Sequence, residues 1–229
     1  MNTQEPQETQ NVQTFNIMID IETGGRVPGS SIFAIGACYF ALSANGPELP
    51  LKLAHSFFSA VDRTTCKESG LIEYAETMEW WDRQSEEARL STLYGRVPLK
   101  TALTDLATYI TDAREVGYKV QLWCKQNNFD FSILEAAYKA CDMGIPWTFR
   151  ELRDCRTFFE VFAIWYTQEF EKALKEGCIT HNALGDAIYQ ARKMEYILEQ
   201  LSFLDALGDI YLQQVPSGEE EGEEGESDE

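Results

Sequence analysis

The sequence predicts an α/β fold built on one mixed β-sheet with helices packed on its faces. Three segments between residues 14 and 60 have strand patterns with short connections, which is typical of an antiparallel meander. Amphipathic helical patterns follow, and a further strand pattern, Tyr118–Cys124, lies between two of them. Since strands separated by helices usually pair in parallel, we expect three antiparallel strands, further parallel strands and flanking helices.

The first strand, Thr14–Glu22, has the clearest pattern. Its isoleucines alternate with polar or less apolar residues at a period of two, as in a strand with two different faces. Asp20 and Glu22 therefore project from the same face at the end of this strand. The segment 23–25, Thr-Gly-Gly, then interrupts the pattern.

The remaining elements are assigned from the spacing of apolar residues, with a period of two for strands and about 3.6 for helices. Further strands are predicted at Ser31–Phe40, Leu51–Ala60, Tyr118–Cys124 and Trp147–Arg150. Helices are predicted at Leu71–Leu90 and Leu99–Ala113, and also from Asp130, from about Asp154 and from near Asn182.

Most of the chain is expected to form one domain. With 229 residues, 44% of them hydrophobic, it can bury a substantial core. We expect a flexible N-terminus at residues 1–11, a folded domain at 12–215 and a disordered acidic tail at 216–229, since the tail lacks apolar anchors. Two roles remain open for the tail: keeping the protein soluble, or imitating nucleic acid and competing for a binding site.

The longest apolar stretch, Ile32–Leu42, is too short to span a bilayer, which needs about 20 residues. No secretory signal is visible either, so we expect a soluble, cytoplasmic protein without a membrane partner. The six cysteines form no Cys-x-x-Cys pair, which argues against a zinc site and favours reduced thiols.

The formal net charge is −19, and eight of the negative charges lie in the tail. An acidic body argues against tight, nonspecific binding of duplex DNA through a broad basic surface. It is compatible with a site that binds only the last one or two nucleotides through metal ions.

Three motifs contain residues that could take part in catalysis: Asp20-Ile-Glu-Thr-Gly24, Asn127-Asn-Phe-Asp130 and His181-Asn-Ala-Leu-Gly-Asp186. Together they supply four carboxylates and one imidazole. Hydrolysis of a phosphodiester needs an activated water and neutralised charge on the reacting oxygens, and two divalent ions about 3.5–4 Å apart provide both. Carboxylates are the ligands that Mg²⁺ prefers, and a histidine can accept the proton of the attacking water.

Each motif alone has a simpler explanation. Asp20 and Glu22 fit an exposed strand face equally well, and Asp130 fits a helix N-cap. His181 fits a turn, and Asp186 fits a solvent-facing position early in a helix. The occurrence of all five residues in one chain is what favours an active site.

The three motifs resemble those of the DEDDh 3′→5′ exonucleases, a family that includes polymerase proofreading subunits, ribonuclease T and oligoribonuclease. The five-residue step from His181 to Asp186 is the spacing of the histidine branch. The predicted order of elements likewise resembles the ribonuclease H-like fold. Further segments look like the subgroup of phage 3′-exonucleases and small mycobacterial exoribonucleases: Glu79–Arg89, Pro146–Trp147, Arg153–Thr157 and His181–Gln190.

The resemblance implies an activity and its partners. It implies an exonuclease domain that hydrolyses single-stranded 3′ ends with two Mg²⁺ or Mn²⁺ ions and releases nucleoside 5′-monophosphates. DNA is the expected substrate and RNA the alternative. A homodimer is also suggested, because related small exonucleases are often dimers. A catalytically silent nucleic-acid-binding or partner-binding protein on the same fold is the remaining alternative, and the intact five-residue set argues against it.

The resemblance also implies roles for the acidic residues. Asp20, Glu22 and Asp186 are expected to hold the metal ion that activates water. Asp20 and Asp130, the latter directly or through water, are expected to hold the ion near the leaving oxygen.

Three more residues receive implied roles. His181 is the expected general base, and Thr23 and Gly24 are expected to meet the terminal sugar or its 3′-hydroxyl through their backbone. The segment 124–128, Cys-Lys-Gln-Asn-Asn, departs from the Gly-rich sequence that similar proteins often have, so substrate preference transfers less readily than the catalytic set.

Other residues keep two interpretations. Trp80 or Trp81 could stack a base, although adjacent helical positions point about 100° apart and at least one should be core. Arg153 is expected to be structural, and Arg156 is left between phosphate binding and a structural role. Lys125 could approach the nucleic-acid backbone.

Overall fold

The computed structural model of the protein describes residues 13–41, 55–165 and 167–214. The predicted flexible N-terminus, the start of the predicted strand at Leu51 and the predicted acidic tail lie outside these ranges.

The centre of the fold is a five-stranded mixed sheet with the strand order β3-β2-β1-β4-β5. The first three strands are antiparallel, and β4 and β5 continue the sheet in parallel from β1. This confirms the predicted architecture. The strands are β1 (Thr14–Thr23), β2 (Ile32–Phe40), β3 (Phe57–Ala60), β4 (Lys119–Cys124) and β5 (Leu152–Asp154).

Helices cover both faces of the sheet. They are α1 (Arg63–Glu68), α2 (Ala75–Asp82), α3 (Glu86–Thr92), α4 (Leu99–Glu115), α5 (Asp130–Ala140), α6 (Arg156–Val161), α7 (Gln168–Leu174) and α8 (Ala183–Gln214), with a short 3₁₀ turn at Ala163–Trp165. Within the described residues, no helix is long and apolar enough to cross a membrane.

The alternation in β1 separates two apolar clusters. Ile17 and Ile19 pack in the larger cluster, together with apolar residues of α4 and α5. Met18 lies in the smaller cluster with Trp123 and with residues of α8, including Met194. β1 is therefore buried on both faces, and its polar side chains are accommodated where the strand ends.

The predicted helix at Leu71–Leu90 is wrong in its extent, because the structure has two helices there. α2 ends at Asp82, and the Ser85 hydroxyl accepts a hydrogen bond from the Ala88 amide at 3.2 Å, which starts α3. Helix α1 was not predicted. Its N-cap is Asp62, whose carboxylate accepts the Thr64 amide at 2.9 Å.

The predicted strand at Trp147–Arg150 is also wrong. The last strand lies a few residues later, at Leu152–Asp154. The Glu151 carboxylate accepts the Thr148 amide at 2.7 Å, and this contact folds the predicted segment into a turn. The next helix begins at Arg156 rather than Asp154, because the Asp154 carboxylate accepts the Arg156 amide at 2.9 Å.

One glycine sets the distance between the last helix and the sheet. Gly36 of β2 lies opposite Asp20 of β1. A Cβ atom at Gly36 would lie 2.2 Å from the Ala183 carbonyl carbon and 2.2 Å from the Leu184 nitrogen. The backbone at the start of α8 therefore rests directly on β2, beside the acidic end of β1.

Candidate active site

The acidic end of β1 projects beyond the paired part of β4, since their register ends at Met18 opposite Trp123. Asp20 and Glu22 follow on the same face, as predicted. Burial raises the pKa of Asp20 well above its ordinary value, and the charges of Asp130, Glu22 and Asp186 raise it further. Burial, followed by the charges of Asp186 and Asp130, likewise raises the pKa of Glu22.

Asp130 is the first residue of α5 and is almost fully buried. The N-cap of α5 is Phe129, so Asp130 is the first residue within the helix and not its N-cap. Burial raises the pKa of Asp130 to about 7, even though hydrogen bonds from the Cys124 thiol and from backbone groups, including Ile21, oppose the shift. The carboxylate therefore points toward the end of β1.

The start of α8 holds the third motif in a fixed conformation. His181 has a left-handed backbone with φ of 61°, which is uncommon for a residue other than glycine. Its amide donates to Asp186 Oδ2 at 3.0 Å, and its carbonyl accepts the Thr92 hydroxyl at 3.2 Å. Asn182 caps the helix by accepting the Gly185 amide at 3.0 Å. The His181–Asp186 contact explains why the five-residue spacing suits this turn.

The three motifs meet in space. One ligand atom each from Glu22, His181 and Asp186 lies within 4.8 Å of the others. Asp20 adjoins this group, because the charges of Glu22 and Asp186 raise its pKa. Asp130 adjoins it as well, because its charge raises the pKa of both Asp20 and Glu22. The structure thus brings together all five predicted catalytic residues.

These residues stand between two clefts. The Trp80 cleft, of about 420 Å³, is lined by the acidic residues of β1 and by Thr23, Trp80, Trp81 and Phe129. The basic cleft, of about 750 Å³, is lined by Lys125, Arg156, Lys175 and Lys193. Asp20, His181 and Asp186 line both clefts, so the candidate site is the ridge that separates them.

The two tryptophans have different environments. Trp81 is buried, and its indole N–H donates to the Thr23 carbonyl at 3.0 Å. Trp80 lines the cleft, and the edge-to-face contact between its ring and the His181 ring has a centroid distance of 4.8 Å. The expectation that at least one of the pair is core is confirmed.

Thr23 and Gly24, the two predicted sugar contacts, are placed differently. Thr23 lines the Trp80 cleft. Gly24 does not, because its amide donates to Ser31 and its carbonyl accepts from Tyr74 within the protein. The sugar contact expected of Gly24 stays a prediction. The glycine itself has a packing reason, since a Cβ would lie 2.7 Å from the Phe33 ring.

Sequence reasoning missed Gln190. Its amide nitrogen donates to Asp20 Oδ1 at 2.7 Å, and this hydrogen bond lowers the pKa of Asp20 against the raising effect of burial. Gln190 lies four residues after Asp186, on the same face of α8, and this spacing was a signal that could have identified it. Arg153 donates to the Arg150 and Leu152 carbonyls, which confirms its structural role.

The architecture of the described residues is shared with a solved structure. The crystal structure of cell-death related nuclease 4 (CRN-4) matches this chain with a TM-score of 0.52 and 11% sequence identity, over 83% of this chain and 64% of that chain. At that identity the similarity establishes the fold alone, and this chain spans somewhat less than two thirds of that nuclease's length.

The sequence identifies the family. The chain belongs to the family of the 3′-5′ exoribonuclease Rv2179c-like domain, whose family model matches residues 15–198. An exodeoxyribonuclease of Enterobacteria phage T4 is 26% identical over 231 residues, covering 90% of this chain and 95% of the phage protein. The predicted DEDDh-type family is confirmed, and the protein is a nuclease of the 3′-5′ exonuclease type.

Proposed function

We propose that this protein is a metal-dependent exonuclease that removes nucleoside 5′-monophosphates from single-stranded 3′ ends, with DNA as its substrate. The observation that carries the proposal is the convergence of the five predicted residues, three of which, Asp20, His181 and Asp186, form a ridge between two clefts. Such a ridge can hold a phosphodiester with a nucleoside on either side.

The donor set fits divalent cations. The candidate site contains four carboxylates and one imidazole. These ligands suit Mg²⁺ or Mn²⁺ rather than a thiolate-preferring ion. Burial raises the pKa of all four carboxylates, and for Asp20 and Glu22 the neighbouring carboxylates add to the effect. Burying like charges together is costly unless a cation neutralises them, so this arrangement supports a metal site.

Within the proposal, two ions share the acidic residues. Asp20, Glu22 and Asp186 would hold one ion, and Asp20 and Asp130 the other. Ions bound there would lower the pKa of the attacking water and neutralise charge on the phosphate and leaving oxygens.

His181 acts as the general base in the proposed mechanism. Two hydrogen bonds fix its backbone, and the Trp80 ring packs against its imidazole, so the ring is held at the edge of the cleft. From there it accepts the proton of the water that attacks the phosphorus. Histidine is the side chain that most often transfers protons in enzyme active sites, which suits this role.

The terminal nucleoside occupies the Trp80 cleft. Trp80 provides an aromatic face for the base, and stacking of this kind contributes about 1–3 kcal/mol per base. Thr23 lies on the same wall, beside Glu22, where it is placed to meet the terminal sugar.

RNA is the second candidate substrate, and the family description favours it because that description names an exoribonuclease. The phage relative, which this chain covers over 95% of its length, is named an exodeoxyribonuclease and favours DNA. The two substrates differ at the 2′-hydroxyl, so a contact to that group would decide between them.

Degradation of 5′-labelled oligonucleotides tests the proposal. Matched single- and double-stranded DNA and RNA are incubated with Mg²⁺, with Mn²⁺ and with EDTA, and Asp186→Asn serves as the inactive control. We expect single-stranded DNA to shorten by one nucleotide at a time from its 3′ end, only with metal. Faster loss of RNA would transfer the assignment to RNA, and internal cuts or activity in EDTA would overturn it.

A further inference from the structure

The basic cleft collects four cations in an acidic protein, beside Asp20, Asp186 and one further carboxylate, Glu160. Lys125 directly follows β4, Arg156 begins α6, Lys175 follows α7, and Lys193 lies on α8. Four elements that are distant in sequence therefore contribute a cation to one cleft, although the chain as a whole has a net charge of −19. Such a concentration of charge beside the candidate site suggests an anionic ligand.

Three of these cations are available to a ligand. Lys125, Arg156 and Lys175 are exposed, and none of them forms an ion pair with the side chains described in residues 13–41, 55–164 and 167–204. Lys193 differs, because it is buried and paired with Glu171.

Lys193 instead helps to position the cleft wall. Glu171 of α7 accepts hydrogen bonds from both Lys193 and Tyr189 of α8, which ties the two helices together. Lys175 lies just after α7, with its ammonium group 5.0 Å from the centroid of the Tyr189 ring. The position of Lys175 is thus set by the same contacts that join α7 to α8.

The cleft is also continuous with the catalytic ridge. Asp20, His181 and Asp186 line both this cleft and the Trp80 cleft on the opposite side. A single strand whose scissile phosphate lies at these three residues, with its last nucleoside in the Trp80 cleft, can continue directly into the basic cleft.

We propose that the basic cleft binds the phosphates of the nucleotides upstream of the scissile bond, through Lys125, Arg156 and Lys175. This inference rests on the proposed function, since it assumes that the 3′ end occupies the ridge. It assigns the cleft to the phosphodiester backbone, which DNA and RNA share. The cations recognise backbone charge and not base identity, so the basic cleft accepts any nucleotide sequence.

The test is a chain-length series. Single-turnover rates are measured on oligothymidylates of two to ten nucleotides at pH 8. Three proteins are compared: the wild type, Lys125→Gln/Lys175→Gln, and the charge-matched control Lys100→Gln/Lys139→Gln. The two control lysines are exposed and lie on α4 and α5, outside both clefts. Unchanged melting temperatures verify that all three proteins are folded.

The wild type should cleave faster as the substrate grows from two to about five nucleotides, because three cations reach about three further phosphates. The double variant should keep the dinucleotide rate and lose most of that gain, at least tenfold on the decamer. Its kcat/KM should also depend less on salt, with the log–log slope smaller by about 1.4 for two lost phosphate contacts on a single strand. The control should match the wild type.

Failure of the proposed role of the basic cleft and failure of the exonuclease function give different results. Equal length dependence in the wild type and the double variant would overturn phosphate binding in the basic cleft and leave the exonuclease function intact. So would a wild type without any length dependence, an equal loss on dinucleotide and decamer, or an equal loss in the control. A wild type that degrades none of the single strands would overturn both proposals.

Discussion

Replacing Gly36 with alanine tests whether the distance between α8 and the sheet sets the catalytic geometry. Gly36 lies beneath the start of α8, which carries His181 and Asp186, and opposite Asp20 on β1. The new methyl group would lie 2.2 Å from two backbone atoms, where ordinary contacts begin at 3.4 Å. Backbone cannot rotate away as a side chain does, so the helix start must move by about 1.2 Å.

A movement of that size separates Asp186 and His181 from the carboxylates of β1. Misplacement of catalytic groups by about 1 Å can reduce turnover by about 10²-fold, and we expect a loss of at least that size in kcat for Gly36→Ala. Overpacking of this kind costs about 1–3 kcal/mol of folding free energy. For a protein of this length, that lowers the melting temperature by roughly 2–12 °C.

The assay is single-turnover cleavage of an end-labelled oligonucleotide at saturating Mg²⁺, together with a thermal melt. Gly144→Ala is the matched control, since a Cβ at Gly144 meets no atom within 4 Å. Gly36→Ala should lose kcat while its secondary structure remains, and Gly144→Ala should behave as wild type. A folded Gly36→Ala protein with wild-type kcat would refute the coupling between this close contact and the active site.

Four further results are expected. Asp20→Asn and Asp186→Asn should each abolish turnover. Neither should lower the melting temperature, because the buried carboxylates repel one another. A pure Asp186→Asn sample with normal kcat would contradict the assignment of Asp186 to the active site. In EDTA, the melting temperature should fall as pH rises from about 4 to about 7. Folding raises the pKa values of the site carboxylates, so stability is greatest at a pH below their unfolded-state pKa values. It is lost as the pH rises through their folded-state pKa values, which for Asp130 is about 7. Fluorimetric melts across this range measure the effect, Mg²⁺ should reverse the loss at pH 8, and a flat profile would argue against the buried cluster. His181→Ala should lower kcat by about 10²–10⁴-fold with little change in substrate binding and should recover in part at higher pH, whereas a loss confined to KM would exclude the base role. Trp80→Ala should raise KM by roughly 5- to 150-fold, as expected for a lost base stack of 1–3 kcal/mol, while Trp80→Phe should retain most of the affinity; equal loss in both would argue against stacking.

Elements with strong periodicity were predictable from the sequence. β1 and β2 were predicted to within a residue at each end, and α4 to within two, because their apolar residues repeat without interruption. The mixed architecture followed from the order of these elements. A single sequence contains that information directly, since burial on a fixed face requires the repeat.

The errors have local causes that periodicity does not report. The break between α2 and α3 depends on one hydroxyl, that of Ser85, and the turn before β5 depends on the Glu151 carboxylate. Either side chain could equally be an exposed polar residue within a longer element. Only the surrounding fold decides whether such a group meets an unpaired amide.

The candidate site was predictable as a set of residues and not as an arrangement. The three motifs identified Asp20, Glu22, Asp130, His181 and Asp186 because phosphodiester hydrolysis restricts the residue types that can perform it. Gly24 was assigned a substrate contact from the motif alone, and its backbone groups turned out to be used inside the protein. Hydrogen bonds of that kind depend on Ser31 and Tyr74, which the motif does not contain.

The charge distribution shows most clearly what a linear sequence conceals. Net charge is a sum over the whole chain, and a value of −19 led to the expectation that no broad basic surface assists the site. That sum is insensitive to position. The parallel strands β4 and β5 end at the same edge of the sheet, so Lys125 and Arg156, thirty-one residues apart, follow neighbouring strands. Lys175 reaches them only because α7 is joined to α8 through Glu171. An acidic protein surface is therefore compatible with a basic path into the active site. The acidic surface repels nonspecific contact with polyanions, and the basic cleft lets one strand reach the active site at one place.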